Sequence, residues 1–593
     1  MTDQTASPSN RANNSEVAPF STAELQATLP RAELETQATG QWVNPTPYNY
    51  AEFTPGKTGH EWEANTARYE WNDEYGDVGP EFPALELQLF GDPSTRGKKG
   101  IDFSKIAEIQ VIQEGPTRID PVATFDDAGL HPVMLQNVKL AGYDTPTPIQ
   151  RYCLPAIHQG YDVIGIAQTG SGKTAAYLIP ILSKLMGKAK KLAASRPNPA
   201  MIQEGVDPRV RAEPLVVIVA PTRELAVQIF NEARKFCYRA MLRPCVVYGG
   251  GSMRDQEMQL WKGCDVLVGT PGRLVHFLER PATLTLKRVR YMVIDEADEM
   301  LADDWKSELD KIMAGGEQEE GVINYMLFSA TFPKAARNLA KAHLADTHVR
   351  IRVGRAGSTH GNIKQDIVWV DPSLKKQALL DFLRSLTPTR VIIFANTKRT
   401  VEELDDLLFS HELPCTAIHG DRNQLEREAS MRAFRAGTCP ILITTGVSSR
   451  GIDVRNVVHV INYDLPLMEY GGIEEYTHRI GRTGRIGHRG LATSFYSEHD
   501  EPIASVLTRT LLETNQEIPE FLQQYVPKNY TPESLKFEAD SDFEEEGAGD
   551  DGNDDVANAW GNSWGAPDAG NTSGDQPVDE SDFPVTSSGE NTW

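Results

Sequence analysis

The stretch VIGIAQTGSGKTAAYLIPILSKLM, residues 163–186, decides how this chain folds. Its first five residues, VIGIA, form an apolar run without a polar interruption. A strand of that kind has no solvent face, so it belongs in a parallel sheet covered on both sides. From Ala175 the apolar residues recur at helical spacing. Between strand and helix lies AQTGSGKT, residues 167–174. Gly170 and Gly172 let the backbone curl until its N–H groups face an anion at the positive end of the following helix. Lys173 is placed to reach a terminal phosphate and Thr174 to hold Mg²⁺. Ala167, Gln168, Thr169, Gly170, Ser171, Gly172, Lys173 and Thr174 are thus a candidate nucleotide loop. Ala167 stands where the strict GxxxxGK[ST] pattern has Gly, and a chance glycine-rich turn is the competing reading. Pro180 in the helix is a local cost without an evident reason in the sequence.

Working outward, VIDEAD (293–298) ends a second buried run. Asp295 is placed as a strand-end carboxylate for Mg²⁺ and Glu296 as a base that orients water. An isolated acidic run at a strand end is usually a solvated turn; following a phosphate loop in one domain, it reads as the metal arm. Further strands are expected at 215–220, 265–269, 290–295 and 325–329, and a second series at 366–370, 390–395, 439–444 and 457–462. They alternate with helical patterns, which predicts an α/β chain of two tandem doubly wound parallel-sheet domains. The boundaries expected are a mostly disordered flank over 1–122, domain 1 over 123–353, a Gly/Ser-rich linker over 354–364, domain 2 over 365–537 and an acidic disordered tail over 538–593. The aromatic stretch 39–53 reads as an unfolded segment or a partner dock. The basic insert 187–214 reads as a solvated loop.

The chain has 593 residues and a net charge of −24. That sum argues against a polyanion ligand, but its distribution reverses the reading. Residues 1–124 carry 9 basic and 19 acidic side chains, and residues 538–593 carry 16 acidic and none basic. The middle, 125–537, is left at +2, free to carry a local basic groove. No apolar run is long enough to suggest a membrane span, and the first residues lack a secretory pattern. The six cysteines have no CxxC spacing, so neither a zinc site nor a disulfide framework is expected, and a reducing, cytoplasmic setting is.

Taken together, these motifs resemble the DEAD-box RNA helicases. GYDTPTPIQ (142–150) with Phe125 upstream is similar to the family's adenine-reading Q motif. PTREL (221–225), GG (249–250), TPGR (270–273), DEAD (295–298) and SAT (329–331) follow in the family's order. IIFANT (392–397), QLER (424–427), TTGVSSRGID (444–453) and HRIGRTGR (478–485) continue it. Some twelve signatures span 125–490. Residues 100–120 and the acidic, Trp-ended C-terminus resemble the Vasa-like subgroup.

The resemblance implies two RecA-like domains, ATP and Mg²⁺ as cofactors, and RNA as partner. It implies that Phe125 and Tyr143 pack at adenine, that Gln150 hydrogen-bonds its edge, and that Asp453 joins the ATP site. Arg482 and Arg485 would face the γ-phosphate when the domains close. His478, with Asp298, Ser329 and Thr331, would couple hydrolysis to RNA. The RNA candidates are Pro221, Thr222, Arg223, Gly250, Thr270 and Arg273 from domain 1, with Gln424, Arg427, Thr444 and Thr445 from domain 2. Such N–H donors, hydroxyls and guanidinium groups suit phosphates and 2′-hydroxyls rather than bases, which implies sequence-independent binding and local opening of short duplexes. Translation or RNP proteins are the implied partners, met through the flanks. Two features depart from the family: Gly446, Ser448 and Ser449 replace an acidic and two Ala residues, and the tail is acidic rather than Arg/Gly-rich. The same motifs would also serve an ATP-gated RNA clamp, and a DNA helicase is a third reading. The pathway, whether translation initiation, decay or granule assembly, is not written in the sequence.

Overall fold

The computed structural model describes residues 78–91, 111–114, 117–186, 188–195, 209–302, 305–314, 323–332, 334–354, 362–446, 454, 457–484 and 489–527. The aromatic stretch 39–53, Ser448, Ser449, Asp453, Arg485 and the tail 538–593 lie outside the described residues.

The first sheet holds β1 (Val111–Glu114), β2 (Val163–Ile166), β3 (Val216–Val219), β4 (Pro244–Val247), β5 (Val266–Gly269), β6 (Tyr291–Asp295), β7 (Asn324–Ser329) and β8 (Val349–Val353). Its order is β1-β8-β2-β7-β6-β3-β5-β4. All pairs are parallel except the edge pair β1–β8. The second sheet holds β9 (Ile363–Trp369), β10 (Arg390–Ala395), β11 (Cys415–Ile418), β12 (Ile441–Thr445), β13 (Val457–Asn462) and β14 (Gly490–Tyr496). Its order is β11-β12-β10-β13-β14-β9, parallel throughout. Two doubly wound RecA-like domains were expected, and two are present.

The central strands are buried on both faces, as their unbroken apolar runs require. In β2, Val163 packs into one core cluster with Ile149 and Leu182, while Ile164 and Ile166 enter the other with Phe277 and Leu309. Gly165 has no space for a side chain: a Cβ there would meet the Phe328 ring at 2.4 Å. Phe328 in turn packs on Tyr177, centroids 5.1 Å apart. Pro180 lies inside the helix Lys173–Met186. Leu178, Ile179, Ile181 and Leu182 around it are fully buried; at about 1.5–3 kcal/mol each, they outweigh the roughly 3 kcal/mol of an internal proline.

Several boundaries differ from the sequence reading. The flank 1–122 is not uniformly unstructured. Helix Pro83–Phe90 packs on domain 1 through Phe90 against Tyr238, 5.8 Å between ring centroids, and the Tyr238 hydroxyl accepts from the Phe82 amide at 3.0 Å. β1 joins the sheet edge, with Glu114 paired to Arg350 at 3.1 Å. The end of the predicted linker 354–364 is already strand, since β9 starts at Ile363. The insert 187–214 is tied down at both ends: the Ala194 amide donates to Asp265 at 2.5 Å, and Ala212 bridges to Leu284. Strands β1, β8, β11 and β14 have no long apolar run, whereas β4, PCVV, is apolar and buried but was not among the expected strands. β8, VRIRV, alternates because Arg350 and Arg352 face Glu114, and β14 buries Thr493 and Ser494 on His459 and Asn462.

Strand order positions the motifs. β7 lies between β2 and β6, so AQTGSGKT, SAT and DEAD leave three neighbouring strand ends. β3, β5 and β4 form the other end of the sheet, so PTREL, TPGR and GG leave side by side. In the second sheet β11, β12 and β10 place the QLER helix, TTG and ANT together. Ligands of open α/β sheets bind outside these carboxyl ends.

Candidate functional site

The loop after β2 turns through Gly170 and Gly172 at φ +80° and +87°, a backbone that side chains rarely adopt. Gln150 braces it. Its Oε1 accepts from the Thr147 amide at 2.9 Å, and its Nε2 donates to the Gly172 carbonyl at 3.1 Å. A Cβ at Gly172 would meet that Nε2 at 2.6 Å. Gln150 has no exposed surface. Both amide atoms hold the loop, each through one of its two hydrogen-bonding positions.

Lys173 is buried, and its Nζ has no hydrogen-bond partner; its nearest anion is Glu296 Oε2 at 3.6 Å. The Ser171 hydroxyl is likewise buried and unpartnered. A buried ammonium without hydrogen bonds is costly, so this cradle fits a phosphate. Asp295, at the end of β6, accepts from the Tyr177 hydroxyl at 2.9 Å. The same hydroxyl is bonded to Thr174, which brings the two expected Mg²⁺ ligands to one point. Burial, then the neighbouring Glu296, push the Asp295 carboxyl up to about 7, and a bound dication would relieve both. Glu296 takes φ +54°, a left-handed conformation costing about 1 kcal/mol. Ala167 is buried and donates its amide to the Ser329 carbonyl at 3.0 Å, so its methyl group fits where the strict motif has Gly. Gln168 and Thr169 are half-buried. Phe125 and Tyr143 meet edge to face at 6.4 Å, and Tyr143 also packs on Phe236.

Asp298 links the motifs. Its Oδ2 accepts from the Thr331 amide at 2.9 Å and hydroxyl at 2.8 Å, and its amide donates to the Ser329 hydroxyl at 3.3 Å. From domain 2, His478 brings Nε2 to 3.9 Å from Asp298 Oδ2 and Nδ1 to 3.5 Å from Glu299 Oε1. Burial alone would raise the Asp298 carboxyl; His478, Lys173 and the Ser329 and Thr331 bonds outweigh it and hold it below the usual carboxylate range. Helix Gly472–Ile480 ends just after His478 and Arg479. Arg482 is buried and donates Nε to the His478 carbonyl at 3.1 Å. Arg479 binds Glu475, the Asp464 carbonyl and Asn396. These arginines are not a solvated helix face. Arg485 and Asp453 lie outside the described residues.

Gly446 is explained by the same cluster. A Cβ there would meet Glu475 Oε1 at 2.2 Å. The carboxylate beside Arg479 comes from the helix, and an acidic side chain in the loop would collide with it.

On the other side of the sheets' carboxyl ends, Arg223, Arg273 and Arg427 gather. Burial, then Arg427, pull the Arg223 guanidinium down; burial, then Arg223, do the same to Arg273. Crowded cations of this kind form a site for an anion. Arg223 lies over Gly250, where a Cβ would meet its Nη1 at 2.2 Å. Arg273 donates to Gln256 and to the Gly251 carbonyl. Pro221 and Thr222 are half-buried, and Thr222 caps helix Arg223–Phe236. Thr270 is the buried N-cap residue of Pro271–Leu278, without a side-chain bond to that helix. The two domains meet here: Arg223 Nη1 donates to Gln424 Oε1 at 3.0 Å, and Arg427 pairs with Glu224 at 2.5 Å. Thr444 departs from expectation. It is fully buried within β12 and donates to the Thr445 carbonyl, so only Thr445, at the strand end, retains surface.

Sequence reasoning missed Tyr177, Glu224, Tyr248, Glu299 and Glu428. Their only signal was adjacency: Glu224 lies within PTREL and Glu428 directly follows QLER.

The chain matches the DEAD/DEAH box helicase family over residues 147–339 and the helicase conserved C-terminal domain over 374–487. It is similar to Saccharomyces cerevisiae Dbp5 bound to RNA and ADP BeF3, with 28% identity, a TM-score of 0.56, and coverage of 66% of this chain and 93% of that one. It is 32% identical to the RNA helicase Prp28 from Chaetomium thermophilum, over 70% of this chain and 94% of that one, at a TM-score of 0.36. It is also 32% identical to a DEAD box protein from Methanococcus jannaschii, over 67% and 99%, at a TM-score of 0.39. For these two the likeness that counts is that of sequence. With the phosphate loop, the DEAD strand end and the two-domain architecture in place, the chain belongs to the DEAD-box family of ATP-hydrolysing RNA helicases.

Proposed function

We propose that this helicase opens short RNA duplexes locally, without sequence preference, and so remodels RNA–protein complexes. The observation that carries the reading is the arginine cluster Arg223, Arg273 and Arg427 at the carboxyl ends of both sheets. Guanidinium groups and the Thr445 hydroxyl suit a sugar–phosphate strand and carry no base code. Dbp5, similar in fold, is bound to RNA and ADP BeF3 together, which supports one closed form holding both ligands here.

In that form Lys173 neutralises the terminal phosphates, and Thr174 and Asp295 would hold Mg²⁺, which would supply charge stabilisation at the phosphates. Glu296, turned toward Lys173 by its left-handed backbone, takes the proton of the attacking water. Arg482 and Arg485 complete the site from domain 2. His478, Asp298, Ser329 and Thr331 transmit closure, and Phe125 and Tyr143 take the adenine face. A strand bent across the two domains cannot stay paired, so a few base pairs open, and hydrolysis releases the strand.

The proposal extends to membership of the Vasa-like subgroup, supported by residues 100–120. It further places the protein in the cytoplasm, acting with translation-initiation or RNP proteins that dock on the flanks; its buried thiols suit a reducing compartment. Strand displacement on a short RNA duplex with and without ATP tests the central part. ATP-dependent displacement, equal for unrelated sequences, is expected. Tight ATP-dependent RNA retention without displacement would favour the clamp instead.

A further inference from the structure

Two residues of the cleft have no part in the scheme above. Tyr248 follows β4 directly and is buried. Its amide donates to Gln256 Oε1 and its carbonyl accepts from Gln256 Nε2, each at 3.0 Å, so its backbone is fixed. Its hydroxyl donates across the cleft to Glu428 Oε1 at 3.3 Å. The same oxygen accepts from Gln424 Nε2 at 3.1 Å, and Gln424 Oε1 accepts from Arg223 at 3.0 Å. The bonds form a circuit that leaves domain 1 at Arg223, passes through Gln424 and Glu428, and returns to domain 1 at Tyr248.

Neither Tyr248 nor Glu428 suits a phosphate. A carboxylate repels one, and the phenol is buried. Both do suit the junction. Helices Arg223–Phe236 and Gln424–Ala436 point their N-termini into it, and positive helix ends beside Arg223 and Arg427 call for negative charge. Glu428 supplies it at a fixed place and orients the Gln424 amide.

We propose that Tyr248 and Glu428 are positioning residues: an interdomain bond that forms only on closure and sets Gln424 and Arg223 for the RNA backbone. The proposal rests on the helicase reading above. Because the bond needs both domains, it adds to RNA affinity only in the nucleotide-bound form.

The test is the fluorescence anisotropy of a labelled oligouridine, titrated with full-length protein with Mg²⁺ and ADP·BeF3, and again without nucleotide. Tyr248→Phe keeps the buried ring and removes one hydroxyl. A hydrogen bond to a charged group predicts a loss of about tenfold with ADP·BeF3. Without nucleotide, affinity stays unchanged within error. Glu428→Ala behaves alike, and the double variant is no weaker than either single one. Glu428→Gln, which keeps an acceptor, retains most of the affinity. Equal losses with and without nucleotide, or additive losses in the double variant, overturn the proposal alone. A wild type whose RNA affinity ignores nucleotide overturns the proposal together with the reading beneath it.

Discussion

Replacing Arg427 with Met tests how the domains close. In the closed form Glu224 and Arg427 have side chains only 9% and 11% exposed and pair at 2.5 Å. Burial, the largest influence, raises the Glu224 carboxyl, and Arg427 opposes it. Without Arg427, closing must bury a bare carboxylate, at several kcal/mol, or protonate it. Protonation sets the ceiling: from an ordinary glutamate in the open form it costs about 3.5 kcal/mol at pH 7 and about 2 kcal/mol less at pH 5.5. Arg223 nearby offsets part of it. The sign follows from proton count. The variant's closed form binds more protons than its open form, so acid favours closure. Arg427→Met also loses an RNA-side cation. The proper reference is therefore Arg427→Met with Glu224→Gln, which lacks the same cation but has no charge to bury. RNA anisotropy with ADP·BeF3 should show the single variant weaker than this double one by up to about a hundredfold at pH 7, a gap that narrows toward pH 5.5. Equal affinities at pH 7, or a gap that acid leaves unchanged, would refute the reasoning.

Three other outcomes are expected. Glu296→Gln keeps shape but cannot take a proton from water, so ATP and RNA binding should persist while turnover stops; RNA release at the wild-type rate would show that Glu296 is not the base. Gly446→Asp places a second carboxylate on Glu475 Oε1; thermal unfolding should show domain 2 destabilised by about 2 kcal/mol or more, partly rescued by Glu475→Ala, and an unchanged transition would contradict the crowding. Deleting 538–593, with its 16 acidic side chains and no basic one, should tighten RNA binding at 0.01 M salt and do so less at 0.1 M, as the Debye length falls from about 30 to about 10 Å; equal affinities at low salt would exclude competition by the tail.

The strands that could be read from sequence were those buried on both faces, because their apolar runs need no context. β8 and β14 could not, since arginine in one and Thr and Ser in the other are paired by partners remote in sequence, Glu114, His459 and Asn462. The motif residues were legible as types at fixed spacing, and strand order groups them as expected. Side-chain direction was not legible. Thr444 and Thr445 look equivalent in TTG, yet strand alternation leaves surface only to Thr445. The bond of Gln150 to Thr147 is a capping box within its own motif, but its bond to the Gly172 carbonyl is a tertiary contact that the motif does not encode. The space at Gly446 is taken by Glu475, 29 positions away. Glu224, Tyr248 and Glu428 gain meaning only when the two domains meet.

The central claim is that one cleft couples ATP turnover to RNA. The most direct measurement is steady-state ATP hydrolysis by full-length protein with RNA or DNA of equal sequence, beside Lys173→Ala, which removes the buried ammonium facing Glu296. The account predicts turnover stimulated by RNA, little stimulation by DNA, and none of either in Lys173→Ala. Equal stimulation by DNA, or RNA-stimulated turnover that survives the loss of Lys173, would contradict it.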